Sequence, residues 1–203
     1  MKLTSYADYT GMAQGGTVDY YEQFGLKTPP QKSSDFTELK RGLDSVEGVD
    51  IETLVRRCKF IRNNKQRVFF IGNGGSAAIA SHMAADWAKN GRFSALSFND
   101  PAALTCFAND LGYAEVFTHQ LKLHARAGYL LFAISSSGQS ANIRTAVMWA
   151  REHGVYTVTL SGFKHDNPLR QLGSDNIYVP SSSYGVVEIT HLACLHAVLD
   201  RLT

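Results

Sequence analysis

His82 and Asp86 stand four residues apart in the stretch Arg67 to Trp87, RVFFIGNGGSAAIASHMAADW. That stretch reads as an apolar strand, a glycine turn and an Ala-rich helix, and residues four apart on a helix share one face. An imidazole and a carboxylate so placed can act together on whatever the preceding turn holds. The turn, Gly72, Asn73, Gly74, Gly75 and Ser76, opens a helix whose first N–H groups have no partner within it. Their natural guest is an anion, most plausibly a phosphate. A second turn lies in AISSSGQSAN, where Ser135, Ser136, Ser137 and Ser140 follow a strand and precede a helix. Hydroxyls and free N–H groups there can satisfy phosphate oxygens without any cation. Such a neutral cradle suits a small sugar phosphate that must come and go.

Neither turn carries a common nucleotide pattern. GNGGSA lacks the G-x-G-x-x-G spacing, no acidic residue ends the next strand in the expected role, and no Gly-Lys-Ser/Thr occurs. Serine and glycine are also ordinary turn and cap residues. Two such turns at successive strand ends of one sheet nevertheless point to a ligand crevice, because open α/β sheets bind ligands beyond the C-terminal ends of their strands.

The elements that must position these turns alternate as βαβ units after Lys65. Strands are predicted at Arg67 to Ile71, Ser94 to Phe98, Tyr129 to Ile134, Tyr156 to Leu160 and Ile177 to Val179, all apolar enough for burial on both faces. Helices are predicted at Ser76 to Asn90, Pro101 to Asn109, Ala114 to Ala125 and Ser140 to His153. A closing helix over Gly185 to Leu202 carries Val187, Leu192, Leu195 and Leu199. This is an α/β three-layer sandwich, a five-stranded parallel sheet flanked by helices. Two helices lead into it. One is capped by Ser34 and carries Phe36, Leu39, Leu43 and Val46; the other, Val49 to Asn63, carries Ile51, Leu54, Val55, Cys58 and Ile61. Residues 1–33, with aromatics at Tyr20, Tyr21 and Phe24, read as an N-terminal arm docked on the body or on another subunit, and 34–203 as the main domain.

Composition narrows the function classes. The chain has 203 residues, 44% hydrophobic and 19% charged, with a net charge of +2. That is a soluble globular domain without the dense basic stripe of a nucleic-acid binder. No apolar run approaches a membrane span, and the N-terminus has no apolar leader core. Three cysteines, Cys58, Cys106 and Cys194, lie in apolar surroundings. An odd number there reads as reduced, buried thiols and a cytoplasmic home.

Taken together, GNGGSAAIASHMAADWAKNGRF, NDPAALTCFANDLGYAEVF, ISSSGQSANI and EITHLACLH resemble the sugar isomerase (SIS) fold, and within it the bacterial phosphoheptose isomerases. The resemblance runs from about Arg67 to the C-terminus. It implies a flavodoxin-like topology, a homotetramer with active sites shared between chains, and interconversion of sedoheptulose 7-phosphate with its aldose through an enediol. It places the phosphate on Ser135, Ser136, Ser137 and Ser140, and substrate contacts at Asn73, Gly74, Gly75 and Ser76. Asp100, Gln120, and the loop residues Asn109 and Asp110 are further candidate contacts; Asp100 is equally a candidate helix cap. A divalent metal, usually zinc, would be held by His82, Asp86, Glu188 and His196, with Asp86 as base and His196 as its acid partner.

Two of these positions depart from the family pattern. Asp86 stands where the family has Glu, withdrawing the carboxylate by about 1.5 Å. Glu188 stands where it has Gln, adding a negative charge, yet two His and two carboxylates remain a sound donor set for zinc or another divalent ion. Helical geometry alone leaves the last histidine open: from Glu188, His191 is rotated about 60° and His196 about 80°. The resemblance selects His196. His119 and His124 read as surface or interface residues, and Trp87 and Trp149 as packing or interface anchors. The resemblance admits two other roles: a non-catalytic binding protein of the kind that binds a replication initiator, and an isomerase for another phosphosugar.

Overall fold

The computed structural model describes residues 36–48 and 50–203. The arm over residues 1–33 and the cap at Ser34 lie outside them. In chain order the elements are α1 (Phe36–Asp44), β1 (Glu47–Gly48), α2 (Ile51–Asn63), β2 (Arg67–Gly72), α3 (Gly75–Lys89), β3 (Ser94–Ser97), α4 (Pro101–Leu111), α5 (Val116–His124), β4 (Leu130–Ser135), α6 (Ala141–Glu152), β5 (Tyr156–Gly162), β6 (Asp175–Val179) and α7 (Tyr184–Asp200). Single 3₁₀ turns precede α5 at Tyr113–Glu115 and β6 at Pro168–Gln171.

The sheet order is β1-β6-β5-β4-β2-β3, and every pairing but that of β1 is parallel. Read from β3, the predicted strands follow the doubly wound order 2-1-3-4-5, whose direction of winding reverses between β2 and β4. Side chains alternate across the sheet as the pleat requires. Val68, Phe70, Phe132 and Leu160 face a core shared with α2, α3 and α7. Phe69, Ile71, Leu131 and Ala133 face a second core with α5 and α6. Asp50 caps α2 by accepting from the Thr53 amide at 3.0 Å. Arg62 ties that helix to the chain end by donating to the Leu202 carbonyl at 2.8 Å.

Three expectations need correction. The sheet has a sixth, two-residue strand, β1, antiparallel to β6 with Glu47 opposite Tyr178 and Gly48 opposite Ile177. It interrupts the predicted leading helix, whose Val46 packs on the core past the end of α1. Gly48 makes the pairing possible: its φ is +116°, and a Cβ there would stand 1.8 Å from the Asn176 carbonyl oxygen. Second, β3 is an edge strand with Ser94 and Leu96 exposed, so burial on both faces holds only further in. Third, Cys106 is exposed while Cys58 and Cys194 are buried, because no residue of α4 is buried.

Candidate active site and metal centre

The turns after β2 and β4 meet where the strand order reverses. They enclose a cavity of about 250 Å³ lined by Asn73, Gly74, Gly75, Ser76, Ser135, Ser136, Ser137 and Ser140, with Ile134, Tyr184 and Glu188. Three helix N-termini converge on it, those of α3, α6 and α7. Their cap positions, Gly74, Ser140 and Ser183, make no side-chain cap hydrogen bond. Helix-end N–H groups and their partial positive charge are therefore left for an anion.

Close approach dictates the glycines of the first turn. A Cβ on Gly72 would lie 2.4 Å from the Ser76 carbonyl oxygen, so the chain can fold straight from strand into helix only without one. Gly74 has a φ of +55°, a conformation costly for other residues. A Cβ on Gly75 would meet the Glu188 carboxylate at 2.3 Å. In the serine loop the Ser135 hydroxyl donates to the Ser140 hydroxyl at 3.2 Å, and the Ser137 hydroxyl accepts from the Gln139 amide at 3.2 Å. The Ser136 hydroxyl is buried with no partner among the described residues. A buried orphan hydroxyl is costly unless a guest completes it.

Sequence reasoning missed the residues that hold Asn73. Its amide donates to Asn142 Oδ1 at 2.9 Å and accepts from Asn142 Nδ2 at 3.0 Å, while the Tyr113 hydroxyl donates to the same Asn73 oxygen at 3.0 Å. An asparagine inside the first turn of α6, a poor place for it on propensity alone, was the available signal. It lies two residues after Ser140.

Down α3 from the cavity, His82, Asp86 and His196 form the one group among the described residues that could hold a metal ion, their ligand atoms all within 4.8 Å of one another. His82 Nε2 lies 3.2 Å from His196 Nε2 and 3.5 Å from Asp86 Oδ2. Two imidazole nitrogens and one carboxylate oxygen match the three-ligand zinc centre that keeps a position open, so the residues fit a divalent ion. Glu188, expected as the fourth ligand, is not in this group. It lies eight residues before His196 on α7, about 12 Å along the axis, beside Gly75. Burial pushes its carboxyl group above the usual carboxylate range.

The two histidines of α7 separate cleanly. His196 meets His82, whereas His191 is fully buried and lies 3.1 Å from the Ser161 carbonyl through Nε2. That carbonyl can only accept, so Nε2 carries the proton and Nδ1 is left bare, buried and without a partner among the described residues. Burial pushes the imidazole down to about 4. Above the ordinary histidine value near 6.5 both folded and unfolded forms are neutral. As the pH falls below it the unfolded chain gains a proton first, so folding weakens by about 1.4 kcal/mol per unit, reaching about 3 kcal/mol near pH 4. Urea unfolding at pH 7 and pH 4.5 should register this loss, and His191→Gln should flatten the difference.

The remaining candidates lie elsewhere. Asp100 caps α4, its Oδ1 accepting from the Ala103 amide at 2.8 Å. Asn109 donates to Asp110 Oδ1 at 2.8 Å, both exposed at the end of α4. Gln120 is buried and donates to the Val116 carbonyl at 3.0 Å within its own helix. None of these four lines the cavity. His124 stacks on Phe98, and His119 packs at a tilt against Phe107. Trp87 is fully buried, and Trp149 stacks on His153.

A doubly wound sheet with a cavity at its switch point and a His/Asp/His cluster beside it defines a class that comparison makes specific. The SIS domain model matches residues 34–162. The phosphoheptose isomerase of Akkermansia muciniphila is 35% identical over 79% of this chain and 87% of its own. That of Pelobacter propionicus is 38% identical over 70% and 76%. The structure of the Neisseria gonorrhoeae phosphoheptose isomerase superposes with a TM-score of 0.72 at 31% identity, covering 83% of this chain and 95% of that one. The chain belongs to the SIS-domain family. Within that family it is an isomerase, related to the phosphoheptose isomerases.

Proposed function

We propose that this isomerase acts on a phosphorylated ketose, and that its substrate is sedoheptulose 7-phosphate, converted to D-glycero-manno-heptose 7-phosphate through an enediol. The observation that carries the reading is the cavity at the switch point. It joins the orphan Ser136 hydroxyl and three uncapped helix N-termini to a potential metal group about two to three turns away along α3. The phosphate sits on Ser135, Ser136, Ser137 and Ser140, with Asn73, Gly74, Gly75 and Ser76 along the sugar. A divalent ion, zinc by donor chemistry, is held by His82, Asp86 and His196. When bound it supplies Lewis-acid polarisation of the oxygens on the reacting carbons.

The proposed assembly is a homotetramer with shared sites, in the cytoplasm and without nucleic acid or membrane. Among the described residues no helix is long and apolar enough to cross a membrane. Exposed apolar side chains at Phe36, Tyr184 and Ile189, of which Tyr184 lines the cavity, support an interface between copies of the chain. Incubation of the purified protein with sedoheptulose 7-phosphate and zinc, followed by NMR of the sugar, should yield the aldose phosphate. Neither product nor saturable binding of the sugar phosphate would favour an interaction role on the same scaffold. Product from a different ketose phosphate alone would reassign the substrate.

A further inference from the structure

Of the side chains that line the cavity, the serines and Tyr184 can donate or accept, the Glu188 carboxylate accepts, and Ile134 does neither. None is a Lys, Arg or His, so a side chain fixed as a donor there can only be Asn73. Its amide is held one way round. The constraint starts at the Ile143 backbone N–H, which can only donate and gives its proton to Asn142 Oδ1 at 3.0 Å. A donor-only partner identifies the oxygen of Asn142, and with it the nitrogen. Asn142 Nδ2 then donates to Asn73 Oδ1 at 3.0 Å, while Asn142 Oδ1 accepts from Asn73 Nδ2 at 2.9 Å. The Tyr113 hydroxyl takes up the other lone pair of Asn73 Oδ1 at 3.0 Å. With that oxygen fully engaged, Asn73 has one polar group left, the second N–H of Nδ2, which has no acceptor among the described residues.

From this network we infer that Asn142 and Tyr113 are positioning residues, which hold the Asn73 amide so that its free N–H donates to an oxygen of the bound sugar phosphate. The assignment rests on the sugar-phosphate reading above. Turned over, the Asn73 amide would set its oxygen against Asn142 Oδ1 and its nitrogen against Asn142 Nδ2, two like contacts in place of two hydrogen bonds. Asn142 is only 3% exposed, so water cannot readily replace either bond, and an unmade bond there carries the full cost of desolvation. Tyr113 is more than half exposed. Its ring adds little buried area, and what its hydroxyl engages is the Asn73 oxygen. The sense of the amide is thus chosen before the ligand arrives, and no ordering cost at Asn73 falls on binding.

Tyr113→Phe deletes one bond to Asn73 and disturbs nothing buried. Asn142→Asp keeps the size and the bond from Ile143, but turns an oxygen toward Asn73 Oδ1 and so draws both Asn73 N–H groups away from the cavity. With sedoheptulose 7-phosphate as probe, each variant should raise KM and the calorimetric dissociation constant about 3–10-fold, the size expected for one hydrogen bond, with kcat within about twofold. Thermal midpoints should stay close to that of the unaltered protein. In an Asn73→Ala background, Tyr113→Phe should have no further effect and Asn142→Asp only that of its added charge, because changes that act through one group are not additive. An unchanged dissociation constant in either variant, or a loss that persists undiminished in the Asn73→Ala background, overturns the positioning role and leaves the isomerase reading standing. If the unaltered protein binds neither sedoheptulose 7-phosphate nor any shorter ketose phosphate, the isomerase reading fails and the positioning role falls with it.

Discussion

His196→Ala is expected to abolish tight zinc retention and to cut turnover by at least about 100-fold, since even the outer partners of a metal ligand are worth 10–100-fold. The argument begins with the ring nitrogens. His82 Nε2 and His196 Nε2 face each other at 3.2 Å, with Asp86 Oδ2 3.5 Å from the first. One proton shared between two imidazoles satisfies that pair poorly, whereas a cation satisfies both lone pairs and the carboxylate together. With three protein donors, removing one leaves a bidentate site open to water on most sides. His82→Ala should behave alike. Neither change should unfold the protein, because His82 is exposed and His196 only partly buried, and substitutions at such positions usually stay within about 0.5 kcal/mol. Dialysis followed by elemental analysis, with thermal melting alongside, separates the two effects. Stoichiometric zinc in His196→Ala would sink the three-ligand centre.

The split between binding and folding also shows which parts of the molecule a sequence can reveal. Buried parallel strands announce themselves as continuous apolar runs, so Val68 to Ile71 and Leu130 to Ile134 were legible, and with them the sheet. Both turns that line the cavity were legible for the same reason, since each follows such a run and opens a helix. Strand β1 was not, because two residues carry no period, and their pairing depends on the missing side chain of Gly48 and on a partner far along the chain. Cys106 was misjudged because apolar neighbours in sequence say nothing about whether a helix is covered on both sides.

Within the site, pairs fixed by one helix were readable from spacing alone, whereas of the pairs fixed by two elements only His82 with His196 was reached, and that through the resemblance. His82 and Asp86 follow from a spacing of four. That Asn142 locks Asn73, or that Tyr113 reaches over the same turn, needs the packing of α6 and the 3₁₀ turn on β2. Glu188 is the sharpest case. Its place on α7 is evident, yet a helical wheel cannot say whether it meets the cluster at His196 or the turn at Gly75. The length of α7 between residues 188 and 196, about 12 Å, separates those two outcomes.

Trp87→Ala should destabilise the fold by about 3–5 kcal/mol, the usual loss for a fully buried large aromatic ring. Trp87 is fully buried and packs against three rings, edge-on to Phe70 and Phe132 and tilted to Phe93. Its Nε1 has no partner among the described residues, so the loss is one of contact and cavity and not of a hydrogen bond. In a domain of this size each kcal/mol moves the midpoint by about 2–4 °C, which gives a fall of roughly 6–20 °C. Trp87→Phe keeps most ring contacts and should lose much less. The position matters beyond stability because α3 is the helix that presents Gly75 and Ser76 at one end and His82 and Asp86 along its length. Trp87 anchors that helix to β2 and β4, so a void beneath it loosens the spacing between the cavity and the metal group. Zinc binding to Trp87→Ala should therefore weaken although no ligand is touched. Scanning calorimetry with and without zinc tests both parts: a midpoint unchanged from the unaltered protein would contradict the packing argument, and an unchanged zinc affinity would contradict the anchoring role.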